Sequence, residues 1–253
     1  MISVRADQQV TVTFAGCGDA FGSGGRFQAC VHVQHGKRAP VLLDCGATSL
    51  PALRRCGLDP GAVGAVFVSH LHGDHFGGLP FLILDGQFSR RTTPLVVAGP
   101  PGTGKRLTEA MECLFPGSSQ VRRGFEVTVI ELEPGRGHDV AGMKTEAFQA
   151  SHPSGAPALI LRLDLGSTVI AYTGDTAWTP AIADAANDAH LLIAEAYYWE
   201  KKVPHHLSHA DLADHERDLA ARRIVLTHMS ADMIAHAGQA RHETAHDGLV
   251  VTL

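Results

Sequence analysis

Residues Ser69 to Pro80 read SHLHGDHFGGLP, which packs His70, His72, Asp74 and His75 into six positions. Three imidazoles and a carboxylate at that density, directly after the apolar run Ala65 to Val68, cannot all bury themselves or pair off. They call for a cation. Val66, Phe67 and Val68 predict a buried strand, and Gly73, Gly77 and Gly78 let the chain turn sharply and begin a helix near Phe76. At the strand end His70 and His72 stand two apart and can point the same way. Asp74 and His75 face the same space from the helix side, so the stretch can serve two neighbouring ions. Imidazole with carboxylate suits zinc, with manganese or iron as alternatives, and a catalytic site keeps one position open for water. Chance histidines in a polar loop would not concentrate on a glycine-rich strand-to-helix turn.

Outward from this stretch, H-x-H-x-D-H resembles the metal motif of the metallo-β-lactamase superfamily, and further motifs of that family follow in order. Asp44 in VLLDCG matches its aspartate at a strand end, His152 in ASHPSG its third histidine, Asp175 in YTGDT its bridging aspartate, and His228 in VLTHMS its last histidine. With Glu195 in LLIAEAYY and His209 in LSHADLA, the chain is most similar to the phosphodiesterase branch that holds ribonuclease Z and the cyclic-ribose phosphodiesterases. The resemblance implies a dinuclear site for two zinc ions. His70, His72 and His152 would hold one, Asp74, His75 and His228 the other, and Asp175 would bridge them. It implies that Asp74 counts among the catalytic residues as well as the ligands, and that a bridging water loses its proton near neutral pH. Asp44 is expected behind the ligands, orienting a histidine through its other ring nitrogen. His209 is expected to protonate the leaving group, charged and oriented by Glu195.

The rest of the chain alternates strands and helices. Cys30–Val33 and Val41–Leu43 predict a strand pair, and Val127–Glu131, Met143–Ala150, Leu159–Asp164, Thr168–Tyr172, Leu191–Ala194 and Ile224–Leu226 predict further strands. Leu79–Leu84, Pro180–Asn187 and Ala210–Ala221 predict helices. No linker or repeat interrupts residues 1–253, so one domain is expected, and the pattern fits the α/β four-layer αββα sandwich that the resemblance implies. Gly16–Gly25 predicts a flexible loop on the rim of the cleft. Gly99–Lys105, GPPGTGK, imitates a phosphate-binding loop, but Arg106 stands where a magnesium-binding hydroxyl is required, so no nucleotide is expected there.

The net charge of −5 and arginines dispersed in pairs argue against a grip on a long nucleic acid. Ribonuclease Z holds tRNA with an arm inserted between the third histidine and the bridging aspartate. Here the short interval from His152 to Asp175 holds only a strand, a turn at Gly166 and another strand. The expected partner is therefore a small-molecule substrate, with no nucleic acid and no membrane, and the resemblance implies a homodimer. Five cysteines without a C-x-x-C pair, and the start MISVRADQQVTVTF without a signal-peptide core, predict a cytoplasmic protein. The expected reaction is hydrolysis of a small or cyclic phosphodiester. A lactonase or other ester hydrolase on the same site, or a tRNA 3′-end endonuclease, is the alternative.

Overall fold

The computed structural model describes residues 9–253; the opening residues 1–8, on which part of the compartment expectation falls, lie outside the described region. The first half of the chain runs through β1 (Val10–Gly16), β2 (Cys30–His35), β3 (Val41–Leu43), α1 (Ser49–Arg55), β4 (Ala65–Phe67), α2 (Gly73–Phe76), α3 (Leu79–Phe88), β5 (Leu95–Gly99), α4 (Thr103–Leu114) and β6 (Val127–Glu131). The second half runs through β7 (Gly137–Val140), β8 (Met143–Gln149), β9 (Leu159–Asp164), β10 (Val169–Tyr172), α5 (Pro180–Ala186), β11 (Leu191–Glu195), α6 (His209–Asp214), β12 (Ile224–Thr227), α7 (Ala231–His236) and β13 (Glu243–Thr244). A last strand, β14 (Leu249–Thr252), returns to the first half and pairs antiparallel with β1.

Two seven-stranded sheets result, ordered β14-β1-β2-β3-β4-β5-β6 and β13-β12-β11-β10-β9-β8-β7. Alternation along single strands shows how they stack. In β4, Ala65 and Phe67 enter the core between the sheets while Val66 enters a second core under the helices of the first half. In β11, Leu191 and Ile193 enter the central core while Leu192 and Ala194 enter a third core under the helices of the second half. Three separate cores divide four layers, so the fold is the αββα sandwich, and strands buried on both faces explain the unbroken apolar runs.

Both sheets end in parallel strands, β3 to β6 in one and β10 to β13 in the other. The loops leaving their C-terminal ends open towards one edge of the sandwich, where a parallel sheet places its ligands.

Three local expectations change. The helix after the histidine stretch begins at Gly73 rather than near Phe76, breaks at Gly77 and Gly78, and resumes as α3. The break follows from close packing: a Cβ at Gly78 would lie 2.2 Å from the Gly46 carbonyl oxygen, and one at Gly46 would lie 2.2 Å from that of Asp74. The helix expected over Ala210–Ala221 stops at Asp214, and a short turn redirects the chain so that Leu219 joins Leu212 in the outer core. The loop Gly16–Gly25 is tied down by Asp19, whose carboxylate accepts hydrogen bonds from the Phe21 and Ser23 amides and the Ser23 hydroxyl.

Candidate metal centre

Behind β3 and β4 the chain builds a support before it builds a site. Asp44 is fully buried at φ +60°, and its carboxylate accepts hydrogen bonds from the Ser69 amide (2.7 Å), the Ser69 hydroxyl (2.8 Å), the Tyr172 hydroxyl (2.6 Å) and His75 Nδ1 (2.6 Å). With Nδ1–H donated to Asp44, His75 turns its Nε2 lone pair to the cleft, the arrangement that fixes a metal-binding imidazole. His70 Nδ1 meets the Ser69 hydroxyl at 3.1 Å, and His152 Nδ1 donates to the His205 carbonyl at 2.9 Å, so these rings also present Nε2.

The expected ligands converge in two groups. His70 Nε2 and His152 Nε2 lie 3.2 and 3.1 Å from His72 Nδ1. On the other side, His75 Nε2 lies 3.2 Å from His228 Nε2 and 3.3 Å from Asp74 Oδ2, and His228 Nε2 lies 3.2 Å from Asp74 Oδ2. Tetrahedral ligands at about 2.0–2.1 Å from one ion stand about 3.3 Å apart, close to this spacing. Asp175 lies between the groups. Its Oδ1 is 3.3 Å from His75 Nε2 and 3.5 Å from His228 Nδ1, while its Oδ2 is 3.9 Å from His70 Nε2.

Charge and hydrogen bonding both fit a cationic occupant. Asp44, Asp74, Asp175 and Glu195 are all buried, and among the described residues they pair with imidazoles and with no lysine or arginine. Among the described residues, buried Asp175 Oδ1 and His228 Nδ1 have no hydrogen-bond partner. Burial, reinforced by the neighbouring charge of His75, holds His70 below its ordinary pKa; burial holds His152 low as well, so both are neutral donors. Burial opposes charge on His75 and His228 too, yet the surrounding carboxylates, Asp175 foremost, push His75 well up and His228 to about 10. Burial likewise works against ionised Asp74 and Asp175, and the adjacent imidazoles override it and keep both well below the usual carboxylate range. So many buried charges need a partner of opposite sign.

Glu195 and His209 do not meet. Glu195 receives the Thr176 amide (2.9 Å) and the Leu207 amide (3.3 Å) on Oε2, and His206 Nδ1 on Oε1. Three residues on, His209 opens α6, stacks on Trp199 at 4.0 Å, and accepts a hydrogen bond from the Arg241 amide. The cause is local. Val203 bridges to His206 across a tight turn with His205 at φ +69°, which swings His206 inward, and the Ser208–Asp211 capping box starts the helix that carries His209 outward. The pattern Ser208-x-x-Asp211 was the signal for this, because a capping box marks His209 as the first helical residue. Sequence reasoning also missed Tyr172, which holds Asp44, and Tyr197, which lines the cleft with His206. That cleft is about 210 Å³, its floor made by the ligands and its rim by Ala20 and Phe21.

Residues 10–249 match the family described as Anti-Pycsar protein Apyc1, nearly the whole of the described chain. The chain belongs to the Apyc1 family. Other likenesses point to the same architecture. Ribonuclease Z of Methanosarcina acetivorans is 26% identical over 273 residues, covering 87% of each chain. The metallo-β-lactamase fold protein YhfI from Bacillus subtilis superposes with a TM-score of 0.79 at 19% identity, over 97% of this chain and 100% of that one. A diphosphatase from the PhnP family superposes at 0.77 with 20% identity, over 97% and 98%. This Apyc1-family chain is thus a metal-dependent hydrolase with the metallo-β-lactamase fold. The phosphate-loop lookalike takes no part in the centre: Glu131 occupies the start of α4, 3.3 Å from the Gly104 amide, and Lys105 extends into solvent towards Glu109.

Proposed function

We propose that the protein is a dinuclear phosphodiesterase that hydrolyses a small or cyclic phosphodiester, with two zinc ions and Asp175 between them. The observation that carries this reading is Asp175 itself, one oxygen turned to each ligand group. Two divalent ions bound there would activate water and neutralise the oxygens of an in-line displacement at phosphorus. The chain's own residues do the rest. Asp44 fixes His75, Ser69 and the His205 carbonyl fix His70 and His152, and Asp74 orients and charges the group it shares with His228. As the P–O bond to the leaving group breaks, the departing alkoxide needs a proton. His206 supplies it: Glu195 holds Nδ1, which leaves Nε2–H for the cleft, and it raises the imidazole pKa against the effect of burial.

Several features support a small substrate. The cleft is narrow, and only β9, β10 and their loops fill the interval from His152 to Asp175. Several arginines are engaged structurally: Arg54 with Asp85, Arg91 with the Val63 and Thr93 carbonyls, Arg162 with the end of α5, Arg223 with Glu243. Five free thiols, three of them buried, suit the reducing cytoplasm, and no helix among the described residues is long and apolar enough to cross a membrane. The relatives named ribonuclease Z favour a second reading, endonucleolytic processing of a tRNA precursor.

One experiment separates these readings. The zinc-reconstituted protein is assayed on a cyclic nucleotide, bis(p-nitrophenyl) phosphate, a lactone and a precursor tRNA, with elemental analysis alongside. Two metal ions per chain, most of them lost in Asp175→Ala, and turnover confined to the small phosphodiesters are expected. Faster trimming of the tRNA, or turnover of the lactone alone, replaces the reading.

A further inference from the structure

A phosphodiester in the cleft brings two non-bridging oxygens that gain charge in the transition state, and each donor aimed at them in advance lowers the barrier. Five polar residues of the lining, His72, Asp74, His152, Asp175 and His228, belong to the two expected ligand groups, and a third possible group joins Asp175 and His228 to Glu195 and His206. His206 is committed to Glu195 and the leaving group, and the side chains of Ala20 and Phe21 donate nothing. Tyr197 remains. It follows β11 by two residues, and its backbone is tied on both sides: the amide donates to the Leu207 carbonyl (2.8 Å) and the carbonyl accepts from the Ser230 amide (3.0 Å). Its ring lies against His206, centroids 5.0 Å apart, with Tyr198 edge-on at 4.8 Å. Its hydroxyl has no hydrogen-bond partner among the described residues, although the neighbouring Tyr172 hydroxyl, deeper in, is fully engaged with Asp44. Burial, with Asp19 next, pushes the phenol up to about 12, so it keeps its proton at neutral pH.

We propose that Tyr197 donates its phenolic O–H to one non-bridging oxygen of the bound phosphoryl group, as a catalytic residue distinct from the metal ligands and from His206. The assignment rests on the phosphodiesterase reading. It selects a monoanionic phosphoryl centre with one prochiral oxygen on the Tyr197 side, so its signature is stereochemical.

Tyr197→Phe keeps the ring and removes only the hydroxyl. Zinc-loaded wild type and variant are compared on methyl p-nitrophenyl phosphate and on the separated Rp and Sp enantiomers of its phosphorothioate. Loss of one such donor is expected to lower kcat on the oxygen diester about 10²-fold. One enantiomer should fall as far. The other should fall much less, because sulfur already replaces the contacted oxygen and accepts a hydrogen bond poorly. Zinc content should stay at the wild-type value. An equal fall on all three substrates, no fall on any, or loss of zinc overturns the proposal. If the wild type cleaves no phosphodiester, the phosphodiesterase reading fails separately, and binding of inorganic phosphate to the zinc-loaded proteins decides: roughly tenfold weaker binding by Tyr197→Phe upholds the contact, and equal binding overturns it.

Discussion

His206 and His209 stand three residues apart in one short segment, and only the first reaches the cleft. A proton donor matters when the leaving group is basic, which gives the pair a discriminating test. His206→Ala should cost an alkyl phosphodiester roughly 10²- to 10⁴-fold in kcat and cost bis(p-nitrophenyl) phosphate, whose phenolate leaves unaided, far less. His209→Ala should change neither by more than about twofold, since its ring is spent on Trp199. Steady-state rates on both esters with equal zinc content check this; a large loss in His209→Ala would restore the outward histidine to the mechanism. Individual residues were unevenly legible. His70, His72, Asp175 and His228 could be found because each follows an apolar strand whose end fixes its direction, and His152 because it follows the alternating strand β8. His206 could not: the capping box at Ser208 removes His209, but a positive φ at His205 decides which of the remaining two histidines turns inward, and nothing in the order of residue types encodes that angle.

Among the elements, the loop after β3 and the turn between α2 and α3 touch backbone to backbone. The Cys45 amide donates to the His75 carbonyl (2.7 Å) and the Gly78 amide to the Cys45 carbonyl (2.8 Å), so Asp44 and His75 are set by one shared framework. A methyl group at Gly78 has no room. Gly78→Ala should therefore lower the unfolding temperature and reduce zinc occupancy together. At Gly104 the nearest atom to an added Cβ is 3.7 Å away, in ordinary contact, and the residue lies in α4. Gly104→Ala should stabilise by up to about 0.5–1 kcal/mol and leave hydrolysis unchanged. Thermal melts with metal analysis read both outcomes. The buried strands were legible from their apolar runs, whereas the short polar β7 and β13, the break at Gly77–Gly78 and the early end of α6 were not, since these arise from what packs against them across the fold.

On the scale of the whole molecule, the ligands come from both sheets, and four buried carboxylates gather where the sheets' loops meet. Removing the ions with a chelator should lower the unfolding temperature by roughly 10 °C, the equivalent of about 4 kcal/mol of linkage at free metal a thousandfold above Kd, and zinc should restore it. A melt unaffected by chelation would mean that the centre adds nothing to folding. The sandwich itself was legible because its motifs occur in one order along the chain, each just past a strand. The return of β14 to the first sheet was not, because Leu249–Thr252 carries no mark of which edge it will join. That return sets a clock. During synthesis β1 precedes β14 by every other strand of both sheets and must wait for it before that edge is covered, while His228 cannot reach Asp74 until β12 has been made. The two ligand groups thus close on one another only after strands of both sheets exist, so the site is assembled by tertiary folding and by no single stretch of chain.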